Sequence, residues 1–271
     1  MQIGVLPSYL RPWLVSESVL SECYISKQKK IDSLIRKAGS SLIFTADDER
    51  RVIFVYSESA QKAARKLLKN EKVEFTALGL FRRYYMKNHI LSANPVKLFK
   101  ACALLAAKIE NLAFEQDSTF HQLLEKIDIS KQEYVRYELK LLEGIDFSIS
   151  FFEIPQLFWF LVKKLTLSSV EAVNDSEMMS FLRKLVRTDY YYTENPAILV
   201  LVSIHRFSRK SPEDLLTFFD IAHEAVLKRL KHFENLRDQD IFPSEALLTE
   251  AKEKFDRLNK LTLNQAPPIK N

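Results

Sequence analysis

Several short motifs in the sequence could support catalysis, and each lacks a part that the chemistry needs. His223 and Glu224 match the start of the His-Glu-x-x-His zinc-protease motif, but Leu227 stands where the second histidine belongs. His205-Arg206-Phe207 is similar to the start of a kinase catalytic loop, yet the sequence has no glycine-rich phosphate loop and no Asp-Phe-Gly triplet. The five histidines show no ligand spacing. The sequence therefore predicts a protein that is not an enzyme and that needs no metal or other cofactor.

The cysteines and the apolar stretches indicate where such a protein resides. Cys23 and Cys102 lie far apart on the apolar stripes of predicted helices, so we expect neither a disulfide framework nor a metal site, as in a reducing compartment. Residues 1–10 lack a basic region followed by an apolar run, which argues against a signal peptide. A glutamate and a proline interrupt the most apolar stretch, 147–162. We expect an intracellular, soluble protein without a membrane partner.

The composition favours helices over strands. Only four glycines and nine prolines occur in 271 residues, too few for the tight turns of a β-rich or α/β protein of this length. The net charge of +5 is mild. The basic residues at 62–69 have helical spacing, which is typical of the solvated face of a helix, so direct nucleic-acid binding is the less favoured interpretation.

Capping residues and apolar periodicity locate the helices. We predict helices at about 16–37, from Thr45, at about 75–86, from Asn94-Pro95, at about 131–142 and at about 244–258, with a disordered tail over 265–271.

The chain also repeats itself. Asn195-Pro196 restates Asn94-Pro95 101 residues later, and each pair opens a strongly apolar helix. A basic-aromatic stretch precedes each pair, at 81–85 and at 187–192. Such a spacing predicts a duplicated helical domain, in which the apolar helix of each copy is wrapped by the others.

The first copy resembles a known family. It reads Phe-Arg-Arg-Tyr-Tyr-Met at 81–86, Pro95, and Ala-Leu-Leu-Ala-Ala-Lys-Ile-Glu at 103–110, and Tyr-Glu-Leu-x-Leu-Leu-x-x-Ile-x-Phe follows at 137–147. Together these motifs resemble the cyclin box, and the resemblance runs from about residue 45 to residue 240. It implies an all-α fold of two tandem five-helix cyclin-box repeats with additional N- and C-terminal helices. The implied domains are an N-terminal extension with a helix (1–44), a first box (45–150), a second box (151–242), and a C-terminal helix with its tail (243–271).

The resemblance also implies a binding site for a cyclin-dependent kinase catalytic subunit. In cyclins the lysine that matches Lys108 and the glutamate that matches Glu138 contact the regulatory helix of the kinase and nearby backbone. Leu105, Phe147 and Ile149 match the family's apolar pocket for an aliphatic kinase side chain. An ammonium can donate to the unpaired carbonyls at a helix end, and a carboxylate can accept from backbone N–H groups. An alternative stays open: Lys108 and Glu138 pair with each other, which would not exclude the kinase contact.

Other positions are assigned by the same resemblance. Glu110 matches the first acidic position after the lysine, whereas Asn111 replaces a common glutamate. We expect Arg82 and Arg83 to supply one ion pair inside the box and one solvated charge. For Trp13 two interpretations stand side by side: it anchors the N-terminal helix, or it takes part in a kinase contact by that helix.

Two features are similar to the cyclin H branch of the family. Trp13-x-x-Ser16 precedes a long helix, and Pro243-Ser-Glu leads into an extra C-terminal helix. This branch implies a nuclear protein that partners the catalytic subunit of Cdk-activating kinase, together with a ring-finger assembly factor and TFIIH. A cyclin C-like Mediator kinase subunit is the nearest alternative. A TFIIB-like DNA-binding factor with tandem repeats and a peptide-binding scaffold are the alternatives from other classes, although two cysteines cannot build the zinc ribbon that TFIIB-like proteins usually carry.

Overall fold

The computed structural model of the protein describes residues 13–110, 117–168, 174–208, 210–221 and 224–263. Throughout these ranges the regular secondary structure is helical, as the composition predicts. The helices are α1 (Glu17–Lys37), α2 (Ala46–Leu67), α3 (Glu71–Lys87), α4 (Pro95–Ile109), α5 (Asp117–Lys126), α6 (Lys131–Gly144), α7 (Ile154–Ser168), α8 (Asp175–Leu185), α9 (Tyr190–Thr193), α10 (Pro196–Phe207), α11 (Pro212–Phe218), α12 (Glu224–Glu234), α13 (Asp238–Ile241) and α14 (Glu245–Leu263), with a short 3₁₀ turn at Ile90–Ser92. The predicted disordered tail, Asn111 and His223 lie outside the described residues.

The chain divides into two compact units, each built on one repeat. The first unit contains α1–α6 and α14, and the second contains α7–α13 together with residues 13–16. Five main helices form each repeat, α2–α6 in the first unit and α7, α8, α10, α11 and α12 in the second. The predicted fold of two helical repeats with additional terminal helices is thus confirmed. The four domain limits given above stay predictions.

Helix α4 forms the centre of the first unit. Every residue from Ala101 to Ala107 is buried, and the helix packs against α2, α3 and α6. Its start is set locally: the side-chain oxygen of Asn94 accepts hydrogen bonds from the backbone N–H groups of Val96 (3.0 Å) and Lys97 (3.2 Å). Pro95 occupies the first helical position, where a backbone donor is not needed. A helix that is apolar around its circumference is stable only when other helices cover it.

Helix α10 has the same role in the second unit. Its residues from Ala197 to Ile204 are buried, and it packs against α7, α8 and α12. Asn195 caps it by accepting from the backbone N–H of Ala197 at 2.9 Å, and Pro196 again takes the first position. The one polar side chain in this stretch, Ser203, donates to the carbonyl of Val200 at 2.9 Å. The sequence repeat is therefore a structural repeat.

A buried ion pair fastens α1 to the rest of the first unit. The Lys27 ammonium lies 3.0 Å from the Glu49 carboxylate, and both side chains are almost completely buried. Lys27 also donates to the carbonyl of Tyr85 (2.9 Å), and Glu49 accepts from the backbone N–H of Ile90 (2.8 Å). Burial raises the pKa of the Glu49 carboxyl, while the charge of Lys27 acts in the opposite direction. These bonds link α1, α2, α3 and the 3₁₀ turn.

Helix α14 packs against α2 in the same unit. The Phe255 ring meets the Tyr56 ring edge-on, with centroids 5.9 Å apart, and lies 6.5 Å from the Phe44 ring. The Lys254 ammonium is 3.3 Å from the carboxylate of Asp48. The predicted C-terminal helix is therefore present, and it extends to Leu263 rather than ending near residue 258.

In the first unit the predicted start of one helix needs correction, and one helix was not located from the sequence. Helix α3 begins at Glu71, four residues before the predicted start, because the side chain of Asn70 accepts from the backbone N–H of Lys72 at 2.8 Å and caps it. Helix α5 did not stand out in the sequence at all.

The buried pair gives a test of how the first unit is held together. We expect Glu49→Gln to lower the free energy of unfolding by about 3–5 kcal/mol, because Lys27 then lacks its carboxylate in a buried position. The matched control is Glu58→Gln, which removes the exposed partner of Lys62 at 2.8 Å and should change it by less than about 0.5 kcal/mol. Urea denaturation followed by circular dichroism measures both. Equal losses in the two variants would contradict the assignment.

Candidate functional site

The residues that the sequence singled out lie on two packed helices and the turn that follows them. Leu105 and Lys108 are on α4, one turn apart, and Glu138 is on α6, which packs against α4. Phe147 and Ile149 follow the end of α6. All five belong to the first unit.

Lys108 and Glu138 form an ion pair at the surface. The Lys108 Nζ donates to Oε1 of Glu138 at 2.6 Å, with the lysine side chain 42% exposed and the glutamate side chain 17% exposed. The internal pairing that the sequence left open is therefore present. An ammonium has three donors and a carboxylate about four acceptor positions, so one shared bond leaves capacity on both groups. The pair can meet a second set of partners without being broken.

Tyr134 holds the carboxylate in place. Its hydroxyl donates to the same Oε1 of Glu138 at 2.6 Å, one helical turn earlier on α6, and its ring lies 5.6 Å from the Lys108 ammonium. Tyr134 is itself buried, and burial together with the bond to Glu138 raises the pKa of its hydroxyl well above the usual range. Sequence reasoning missed this residue, although its i,i+4 spacing to Glu138 was a usable signal.

The apolar part of the predicted site is divided between the core and the surface. Leu105 is buried in α4. The Phe147 side chain is 61% exposed and Ile149 is 43% exposed, so these two supply the accessible apolar surface. Because Phe147 and Ile149 are two residues apart, the turn presents two large apolar side chains to solvent within a short stretch of chain.

The turn that carries Phe147 has a strained backbone. Asp146 and Phe147 have φ angles of 52° and 55°, the left-handed region that disfavours residues other than glycine, by roughly 1–2 kcal/mol each. The conformation is stabilised by backbone bonds from Phe147 N–H to the carbonyl of Leu142 (2.8 Å) and from Asp146 N–H to that of Glu143 (3.2 Å). The backbone strain that holds Phe147 at the surface therefore lowers the free energy of unfolding.

Side chains of helix α3 contact this turn and the end of α6. Arg83 is buried and its Nη1 donates to the carbonyl of Ser148 at 3.1 Å, between the two exposed apolar residues, and Lys87 pairs with Asp146. Gly144 lies so close to Tyr84 that a Cβ at position 144 would come 2.4 Å from the ring. These contacts fix where α6 ends and where the turn begins.

The remaining assigned positions are engaged inside the protein. Glu110 accepts from the hydroxyl of Thr76 at 2.6 Å and lies 3.5 Å from the Lys72 ammonium. Arg82 and Arg83 are both buried, so the expectation of one solvated charge is wrong. The sequence could not reveal this because a partner of Arg83 is a backbone carbonyl.

Trp13 also lies inside the protein. Its side chain is buried in the second unit. Two residues later in the chain, the backbone N–H of Val15 donates to the carbonyl of Tyr192 at 2.9 Å. This arrangement favours an anchoring role for Trp13, and its part in a kinase contact stays a prediction.

Within the described ranges, no cluster of three or more histidine, cysteine or acidic side chains is suited to a metal ion. In the same ranges no helix combines the length and apolarity that crossing a bilayer requires. The ion pair and the exposed apolar turn described above lie on α4, on α6 and directly after α6.

Comparison with known proteins identifies the domain that carries these features. The family profile described as "Cyclin, N-terminal domain" matches residues 61–150, which include all five site residues. Among curated proteins, Cyclin CCL1 of Saccharomyces cerevisiae is 26% identical over 137 residues, covering 50% of this chain and 33% of that protein. Cyclin-H1-1 of Arabidopsis thaliana is 24% identical over 51% of this chain and 48% of its own length. Cyclin-C1-1 of Arabidopsis thaliana is 23% identical over 76% of this chain and 84% of its own length. The matches to the first two relatives thus span between a third and a half of their lengths.

Solved structures share the fold over nearly the whole chain. A chain of the CAK complex from Chaetomium thermophilum bound to ATP-gamma-S has a TM-score of 0.64 at 18% identity, covering 97% of this chain and 94% of that one. A chain of the yeast TFIIK complex (Kin28/Ccl1/Tfb3) has a TM-score of 0.56 at 19% identity, covering 93% and 98%. At such identities the likeness establishes the fold. The matched profile shows that the chain contains a cyclin N-terminal domain, and the relatives that it resembles are cyclins.

Proposed function

We propose that this chain is a cyclin, a regulatory subunit that binds a cyclin-dependent protein kinase and activates it. The observation that carries the proposal is the exposed Lys108–Glu138 pair, held by Tyr134 within the matched cyclin domain. Its role is regulatory rather than catalytic, because the chemistry that it offers is recognition of a partner's backbone and not bond breaking.

The geometry suits recognition of a helix end. The last carbonyls of a helix lack partners and lie at the negative end of the helix dipole, which favours a nearby ammonium such as that of Lys108. The Glu138 carboxylate can accept from backbone N–H groups of the same partner segment. Phe147 and Ile149 add apolar contact area, which raises affinity where the charged pair supplies orientation.

Activation follows from selective binding of one kinase conformation. A kinase needs its β3 lysine paired with a glutamate on its regulatory helix, and a free kinase that holds this helix outward is inactive. A subunit that binds the inward state alone shifts the equilibrium, and on the order of 5 kcal/mol of differential affinity reverses a population of about 1:99. Tyr134 and Arg83 hold this surface in place before the kinase binds, so little conformational entropy is lost on binding.

The finer proposal is a subunit of a Cdk-activating kinase that acts in the nucleus in cell-cycle control and transcription by RNA polymerase II. It is supported by similarity to proteins named CCL1 and Cyclin-H1-1 and to chains of complexes named CAK and TFIIK. The partners would then be the catalytic subunit, a ring-finger assembly factor and TFIIH. One observation favours a second candidate, a cyclin C-like Mediator kinase subunit: the match to Cyclin-C1-1 covers 84% of that protein.

Reconstitution separates these candidates. We would co-express the tagged chain with the catalytic subunits of Cdk-activating kinase and of Mediator kinase from the same source, and measure phosphorylation of a peptide substrate by each complex. Activation of the first supports the finer proposal, and activation of the second alone supports the cyclin C-like role. Stable binding without activation would indicate a scaffold. DNA affinity that falls steeply with added salt, without kinase binding, would indicate a TFIIB-like factor.

The ion pair can be tested by double substitution. We expect Lys108→Ala with Glu138→Ala to weaken kinase binding by about 2–5 kcal/mol and to abolish activation, because both orienting groups are lost. The chain offers a matched control on the same two helices, the exposed Lys97–Glu133 pair, whose double alanine variant should bind and activate as the wild type does. Calorimetric titration and peptide phosphorylation measure the two quantities. Full activation by the Lys108/Glu138 variant would refute the site.

The strained turn allows binding and stability to be separated. We expect Phe147→Gly to leave the free energy of unfolding unchanged or to raise it by up to about 1 kcal/mol, because glycine accepts the positive φ without strain. Kinase binding should nevertheless weaken about tenfold, because an exposed aromatic contact is lost. Ile43→Ala, at another exposed apolar position of the first unit, is the control that should alter neither quantity strongly. Unweakened binding in Phe147→Gly would remove Phe147 from the interface.

A further inference from the structure

Helix α7 in the second unit has an apolar outer face that folding does not explain. Among the described residues of this unit, the large apolar side chains that are exposed all lie on α7: Trp159 at 40%, Phe160 at 62% and Leu167 at 78%. The opposite face of the same helix is already buried in the core, through Ile154, Leu157, Phe158, Leu161, Val162 and Leu165. One buried stripe is enough to hold a surface helix. A second apolar stripe in solvent marks an interaction site.

The exposed residues share one face of α7. Phe160 and Leu167 are seven positions apart, two helical turns, so they lie on one line separated by roughly 10 Å along the helix axis. Lys163 and Lys164 lie between them and are exposed. Trp159 borders the strip at its N-terminal end, with its ring edge-on to the buried Phe158 at a centroid distance of 5.1 Å. Trp159 is therefore held in position from below.

The outer face of α7 is positively charged. Helix α7 contains two lysines and no acidic residue, and Glu153 precedes its first residue. The Lys164 ammonium lies 5.9 Å from the ring centroid of Phe218 on α11, and the ammonium of Lys210, just before α11, lies 5.0 Å from that ring. Helix α11 itself carries two acidic residues in its first turn, Glu213 and Asp214. Aromatic side chains interleaved with ammonium groups favour a ligand that is apolar along one line and negatively charged beside it.

We propose that the outer face of α7, formed by Trp159, Phe160, Lys163, Lys164 and Leu167, is a docking site for an acidic amphipathic helix of another protein. Such a helix presents apolar residues at i, i+3, i+4 and i+7, which match a strip two turns long, and its flanking carboxylates pair with the lysines. Aromatic anchors surrounded by charges that can be neutralised are typical of positions that carry most of a binding energy.

Two other occupants fit less well. In a symmetric dimer of this chain the strip would face its own copy, which places Lys163 and Lys164 against the same lysines of the second chain. Single-stranded nucleic acid binds through successive stacking rings, whereas Leu167, the most exposed of the three apolar residues, offers no ring. The surface lies in the second unit, whereas the Lys108–Glu138 pair belongs to the first, so the two proposals rest on different residues.

A matched pair of peptides tests the proposal. The probes are two helical peptides of about 20 residues with identical leucine positions at i, i+3, i+4 and i+7, one flanked by glutamates and the other by lysines. We expect the full-length chain to bind the acidic peptide at least about tenfold more tightly than the basic one in fluorescence anisotropy. Phe160→Ala should weaken that binding by about tenfold or more, and Lys163→Glu with Lys164→Glu should remove the preference for the acidic peptide.

Controls keep the result separate from folding and from kinase activation. Ile43→Ala should bind the acidic peptide as the wild type does, and Phe160→Ala should keep the helical circular dichroism spectrum and the kinase activation of the wild type. Lys108→Ala with Glu138→Ala should retain peptide binding. The proposal is overturned if the wild type binds neither peptide or both equally, or if Phe160→Ala binds the acidic peptide unchanged. It is equally overturned if a single-stranded oligonucleotide outcompetes that peptide with a steep dependence on salt.

Discussion

The structure depends on one constraint, the need to cover a central helix that is apolar on all sides. In α4 the stretch from Ala101 to Ala107 has no face that tolerates water, and α10 has the same property in the second repeat. Only a ring of other helices can bury such an element, because a single neighbour covers one stripe. The constraint also fixes the place of the polar residues that follow. Lys108 is the first residue past the buried stretch of α4, so the end of the core is where a charged group reaches the surface.

The candidate kinase-binding surface lies where α4 leaves the core, at Lys108. Helix α6 packs against α4, which brings Glu138 to the Lys108 ammonium, and Tyr134 reaches the same carboxylate from one turn away. The network therefore joins a buried hydroxyl to an exposed ammonium. A pair held in this way keeps its orientation without becoming inaccessible, which is the property that a recognition site requires and a purely structural ion pair does not need.

Much of this could be predicted from the sequence where the cause is local. The Asn-Pro pairs predicted the starts of α4 and α10 because capping and the lack of a proline N–H act within a few residues. The apolar run that begins with Ala101 predicted a wrapped helix for the same reason. Long-range polar contacts could not be predicted in this way. In the sequence Lys27 is one of three lysines within residues 27–30, and nothing local marks it as buried. It is buried because Glu49 and the carbonyl of Tyr85 receive its charge.

The spacing between Gly144 and Tyr84 shows how an interior fit governs an exterior surface. Because the ring occupies the volume that any side chain at position 144 would need, α6 and α3 approach each other more closely there than two ordinary residues allow. A methyl group at this position would force either the Tyr84 ring or the end of α6, which leads into Phe147, to shift. The exposed side chains of the turn can therefore change to suit a different partner without disturbing this packing. Position 144 cannot change in the same way, because any side chain there would displace the Tyr84 ring or alter the alignment of the whole surface.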